Sequence, residues 1–115
     1  MKQGESKLQI QCIRWFDLQY PNLKQLLFAI PNGGNRNIIT AKIMKAEGVR
    51  AGVSDLFLSV ASQGFNGLYI EMKYGKNKAT PEQRTFIEAV RAHGYKAEII
   101  DSFDKFQDQI QNYLI

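Results

Sequence analysis

Apolar residues along this chain recur with two different periods, and the changes of period divide it into helices and strands. Over about 5–19, Leu8, Cys12, Trp15 and Phe16 return at helical spacing, which predicts an amphipathic helix ended by Pro21 and Asn22. Residues 26–30 form a continuous apolar run that stops at Pro31 and predicts a short buried strand. Ile38, Ile39, Lys42, Ile43 and Lys45 fit a second helix over about 36–47, with Gly48 at its end. In 52–73 the pattern becomes that of paired strands. An apolar run from Leu56 to Val60, a break rich in Gly and Asn at 64–67, and a second run from Leu68 to Lys73 predict an antiparallel hairpin within a sheet.

A third helix begins at Thr80 as N-cap, with Pro81 in the first helical position and Gln83 as capping-box partner. His93 and Gly94 close it, a further strand is predicted over 96–100, and Asp101 or Ser102 caps a last helix carrying Phe103, Phe106, Ile110, Tyr113 and Leu114. The order helix, strand, helix, two strands, helix, strand, helix predicts one α/β domain over 1–115, a mixed central β-sheet flanked by helices on both faces.

Candidate chemistry sits in the hairpin. Antiparallel neighbours run in opposite directions, so Asp55, which opens the first strand, meets Glu71 near the end of the second. Side chains alternate along a strand, so Glu71 and Lys73 share a face and Met72 takes the other. Two converging carboxylates repel unless a proton or a cation lies between them, and a hard divalent ion suits such oxygen ligands. Composition narrows the partners. With 115 residues and 44% hydrophobic content the chain can bury a single core. The net charge of +4 and pI near 9.3 favour an anionic partner such as nucleic acid. One cysteine, Cys12, permits no internal disulfide, and no apolar run reaches the length of a membrane span, so a cytoplasmic protein is expected. A lone histidine argues against a His-based metal site or a Ser-His-Asp triad, and the glycines of 32–35 are not part of a Walker motif.

The Asp, spacer, Glu-x-Lys arrangement resembles the PD-(D/E)XK nuclease superfamily, and its surroundings look like the VRR-NUC branch. The matching stretches are Pro31-Asn32-Gly33-Gly34, Gly48-Val49-Arg50-Ala51-Gly52-Val53-Ser54-Asp55, Leu68-Tyr69-Ile70-Glu71-Met72-Lys73 and Thr80-Pro81-Glu82-Gln83. Ala51 stands where the second Arg of the naming motif would be, and Ser54 replaces a Pro that often precedes the Asp.

The resemblance implies a restriction-endonuclease-like core and a Mg²⁺- or Mn²⁺-dependent DNA endonuclease. In it, Asp55, Glu71 and the Met72 backbone carbonyl would hold metal, and Lys73 would position the attacking water. Glu5 lies on the inward side of the first helix; it either complements the helix dipole or, as the resemblance implies, reaches the active site as a further metal ligand. Gln83 is fully explained as a capping residue, yet it also faces inward, and the resemblance places it beside metal and phosphate. The loop at Asn32, Gly33 and Gly34 would border the site. Arg36, Lys42, Lys45 and Arg50 form either a solvated basic face or a phosphate track, and Lys76 and Lys78, on a basic, flexible link, are expected as the main DNA contacts outside the metal site. Small stand-alone members of this kind, of phage and bacterial type, suggest action on branched DNA such as four-way (Holliday) junctions by a homodimer. The alternatives are a general or flap-type DNA nuclease and a non-catalytic DNA-binding module of the same fold.

Overall fold

The computed structural model describes residues 3–31 and 37–115. Its elements follow the predicted order: α1 (Gln3–Gln19), a short 3-10 helix (Pro21–Leu26), β1 (Leu27–Ala29), α2 (Ile38–Ala46), β2 (Leu56–Leu58), β3 (Leu68–Met72), α3 (Pro81–Ala92), β4 (Lys96–Ile100) and α4 (Phe103–Tyr113). The four strands form one sheet in the order β1-β2-β3-β4. The first three pair antiparallel and β4 pairs parallel to β3, with α3 as the crossover between them.

Three boundaries differ from the sequence pattern. β1 is shorter than the apolar run because the 3-10 helix that starts at Pro21 takes in Leu26. β2 stops at Leu58: the Ser59 N–H still donates to the Leu26 carbonyl in register with β1, but Leu26 is already in the 3-10 helix and the next carbonyl, of Val60, accepts from the Tyr113 hydroxyl. The reversal then falls at Ser62–Phe65, beginning two residues before the Gly-Asn break and overlapping its start, with Gln63 and Gly64 both at positive φ. Two successive left-handed residues are what a type I′ turn requires.

Alternation along the strands sorts the sheet into two faces. Leu56, Leu58, Leu68, Ile70, Met72 and Ile100 join Leu8, Cys12 and Phe16 of α1 and Phe106, Ile110 and Tyr113 of α4 in one core. Burial pushes the Cys12 thiol up to about 12, so it is a packing residue with no thiolate to offer at neutral pH. The opposite face carries aromatic rings. Phe57 and Tyr69 pair across the strands with centroids 4.4 Å apart, and Phe86 of α3 meets Tyr69 edge-on at 5.1 Å.

The segment between α2 and β2 is pressed against the start of α3 at Gly52. Its φ is +85°, and a Cβ there would fall 2.6 Å from the Glu82 carbonyl oxygen. Both the left-handed backbone and the close approach demand glycine. Gly52→Ala is therefore expected to lower unfolding stability by about 1–3 kcal/mol, measured as a shifted midpoint in urea at unchanged slope.

Candidate active site

Asp55 is held from two sides. Its backbone carbonyl accepts from the Ile30 N–H at 2.8 Å, extending the β1–β2 ladder by one step. Its side-chain Oδ2 accepts from the Met72 N–H at 2.8 Å, which ties the carboxylate to β3 directly. Leu56 pairs with Ile70, so Asp55 lies beside Glu71 in the register. The hairpin thus brings the two acids together, as the sequence pattern predicts.

Glu71 is 2% exposed, and Lys73 is buried beside it with Nζ 3.6 Å from Glu71 Oε2. The Lys73 N–H donates to the Ile100 carbonyl at 2.9 Å, so strand geometry continues past Met72 and keeps Glu71 and Lys73 on one face. Gln83 answers to both of its sequence readings. Its Oε1 accepts from the Thr80 N–H at 2.8 Å, closing the capping box, while its Nε2 donates to Glu71 Oε2 at 3.1 Å. One amide therefore fixes the start of α3 and satisfies one oxygen of the buried acid. The other oxygen, Oε1, is buried and has no hydrogen-bond partner.

That arrangement raises the Glu71 carboxyl to about 8 from an ordinary 4.5. Burial is the first cause, the Asp55 charge and a hydrogen bond with Asp55 add to it, and Lys73 pulls the other way. Near neutral pH Glu71 therefore keeps a proton next to Asp55. A divalent cation would take the same place, and the orphaned Oε1 is the atom it would satisfy. Among the described residues no group of three or more His, Cys, Asp or Glu is placed to hold a metal. Two carboxylates, completed by backbone, water and phosphate oxygens, are a donor set that Mg²⁺ accepts.

Glu5 is buried, in agreement with its inward position on α1. Its Oε2 accepts from the Asn77 side-chain amide at 2.9 Å. This contact changes the picture of 74–79: the Asn77 N–H turns back to the Tyr74 carbonyl at 3.2 Å, Gly75 sits at φ +62°, and the link expected to be flexible is a turn fastened to the first turn of α1. Asn77 was not singled out by pattern, although an Asn two residues after a Gly in a polar link is a turn signal. Arg50, Lys76 and Lys78, with Lys42 and Lys45 of α2, are exposed and able to meet a phosphate backbone. Asn32, Gly33, Gly34 and Arg36 lie outside the described residues.

A mixed sheet flanked by helices, with a Glu-x-Lys strand and an Asp from its antiparallel neighbour converging on one face, is the architecture of restriction-endonuclease-like nuclease domains. The VRR-NUC domain profile matches residues 2–104. The chain belongs to the VRR-NUC family, a nuclease family of that fold, for which DNA is the substrate class. A solved structure described as a VRR_NUC domain protein is similar over 99% of this chain and 90% of that one, with 29% identity and a TM-score of 0.84. No curated protein matches. Among the described residues no helix is long and apolar enough to cross a membrane.

The raised Glu71 carboxyl sets a sign for pH dependence. Folded Glu71 keeps a proton that the unfolded chain releases above about 4.5, so its contribution to stability is complete below that value and is lost as pH rises through about 8. Without divalent ions, the melting temperature should fall between pH 5 and pH 9. Glu71→Gln should flatten that slope, and an unchanged slope would show that Glu71 titrates normally.

Proposed function

We propose that this protein is a Mg²⁺- or Mn²⁺-dependent endodeoxyribonuclease that hydrolyses phosphodiester bonds in branched DNA, four-way junctions included, and acts as a homodimer. The observation that carries the reading is the buried group Asp55, Glu71 and Lys73, in which Glu71 Oε1 has no hydrogen-bond partner. Buried charge of this kind costs stability, and such groups cluster where chemistry needs them. Asp55 and Glu71 would hold the metal, with the Met72 carbonyl as a further ligand; Glu5 is not grouped with them among the described residues and instead holds Asn77. When bound, that ion polarises the scissile phosphate and acidifies a water.

The chain's own side chains supply the rest. Asp55 is held by the Met72 N–H through Oδ2, which fixes its carboxylate beside Glu71. Lys73, beside Glu71, orients a water and offsets the charge that builds on the phosphate oxygens. Gln83 holds Glu71 in place through one amide hydrogen and has a second to offer a phosphate. Lys76 and Lys78 belong to the fastened turn, and with Arg50 they would track the backbone on either side of the cut, with Asn32, Gly33, Gly34 and Arg36 as further proposed contacts. The exposed basic residues support a branched substrate, because backbone contacts respond to the shape of DNA and not to its sequence. A junction needs two cuts, and two copies related by a two-fold axis present two sites.

The test is cleavage of end-labelled four-way junction, flap, duplex and single-stranded DNA in Mg²⁺, Mn²⁺ or EDTA. Cutting is expected in either ion, absent in EDTA, and reduced about 10²-fold or more in Asp55→Ala and Lys73→Ala, with symmetric incisions confined to the junction. Equal cutting of all four substrates would leave a general nuclease. DNA binding without cutting would leave a binding module.

A further inference from the structure

A cleft of about 410 Å³ opens on the α3 side of the sheet, and the catalytic reading above gives it no role. Pro31, Val49, Val53 and the rings of Tyr69 and Phe86 line it, with Glu47 and Arg50 completing the wall. Its volume lies within the range of small-ligand sites, roughly 300–1,000 Å³. We propose that this cleft receives one unpaired nucleobase of the DNA strand being cut, within about two nucleotides of the scissile phosphate. The inference rests on the nuclease reading and adds a base-sized subsite to it.

Position is the first argument. Tyr69 precedes Glu71 by two residues on the same face of β3, a separation of about 7 Å. Phe86 follows Gln83 by three on α3, one helical turn away, and Gln83 touches Glu71. The cleft therefore adjoins the carboxylates on both of the elements that build them, and about 7 Å equals two stacked nucleotides at 3.4 Å each. A strand whose phosphate lies at Glu71 brings a neighbouring base to this opening.

Chemistry is the second. Two aromatic rings flanked by Val and Pro form the wall against which any base can stack, whatever its sequence. Arg50 adds a cation for the phosphate of the same nucleotide. Glu47 is a carboxylate in the same wall, exposed and in no ion pair among the described residues. Its charge repels a phosphate track but accepts a hydrogen bond from the exocyclic amine of a base. The mixture of rings, one cation and one anion fits a nucleotide with its base turned inward, and not the rail of a duplex backbone. A branch point supplies such a base at low cost, because its bases are already partly unstacked.

The experiment scans the substrate with single abasic sites. Each nucleotide within three of the mapped cut is replaced in turn, and affinity for the whole protein is measured in Ca²⁺ beside single-turnover cutting in Mg²⁺. One position should lose about tenfold in affinity, the order expected for one base–aromatic stack. Val53→Trp and, separately, Val49→Trp fill the cleft, and a melting curve of each checks that it folds. In a folded filled variant the same abasic site should cost nothing further, because the subsite is already lost. A flat abasic scan with wild-type protein overturns the proposal by itself, whatever the variants do. So does an abasic penalty of equal size in a folded Trp variant. If no DNA is cut or bound, the nuclease reading fails instead, which is a separate result from DNA that is cut with a flat scan.

Discussion

Two carboxyl groups held in contact inside a sheet are the constraint on which the rest of this structure depends. Neither acid can leave: Asp55 is pinned through its carbonyl to β1 and through its side chain to β3, and Glu71 is a residue of the central strand itself. Burial removes the water that would screen them. The fold answers with a lysine and an amide, and it leaves one Glu71 oxygen unsatisfied. A core designed for stability alone would not contain this group. In the proposed function, that unsatisfied oxygen is where a cation would sit.

The architecture follows from holding that group in place. β2 and β3 must be antiparallel to bring Asp55 to Glu71, while β4 must run parallel to β3 so that the Lys73 N–H finds the Ile100 carbonyl and keeps its side chain turned toward the acids. The parallel pair requires a crossover, and the crossover helix begins with the residue that touches Glu71. Gly52 allows the segment leading to Asp55 to lie against that helix start without a side chain between them. The apolar half of the molecule, α1 and α4 on the far face, provides the packed support that fixes these positions.

Charge and aromatic surface divide the work of recognition in the proposed complex. The exposed lysines of α2 and of the turn at 74–78 offer contacts that any phosphate backbone satisfies. The rings on the α3 face offer contacts that only an unstacked base satisfies. The turn is not a loose tether, because Asn77 fastens it to Glu5 and so couples the first helix to the chain just beyond Lys73.

Much of this was legible in the amino-acid order, because local rules suffice for it. Period and capping chemistry place the helices, from Thr80-Pro81 at the start of α3 to Gly94 at its end. Alternation puts Glu71 and Lys73 on one face, and strand direction sets Asp55 beside Glu71. Where strands end was not legible: the 3-10 helix takes Leu26 from β1, and beyond β2 the Val60 carbonyl accepts from Tyr113, a partner distant in sequence. Nor could the order of residues reveal that Gln83 caps a helix and holds Glu71 with the two ends of one amide, that Asn77 closes on Glu5, or that Tyr69 and Phe86 border a cleft. The sequence by itself determined the elements and the residue types of the site, because propensity, period and alternation act between near neighbours. Only the tertiary structure decided which polar atoms meet, how deeply Glu71 is buried and so how far its proton affinity rises, because those depend on packing between segments far apart along the chain.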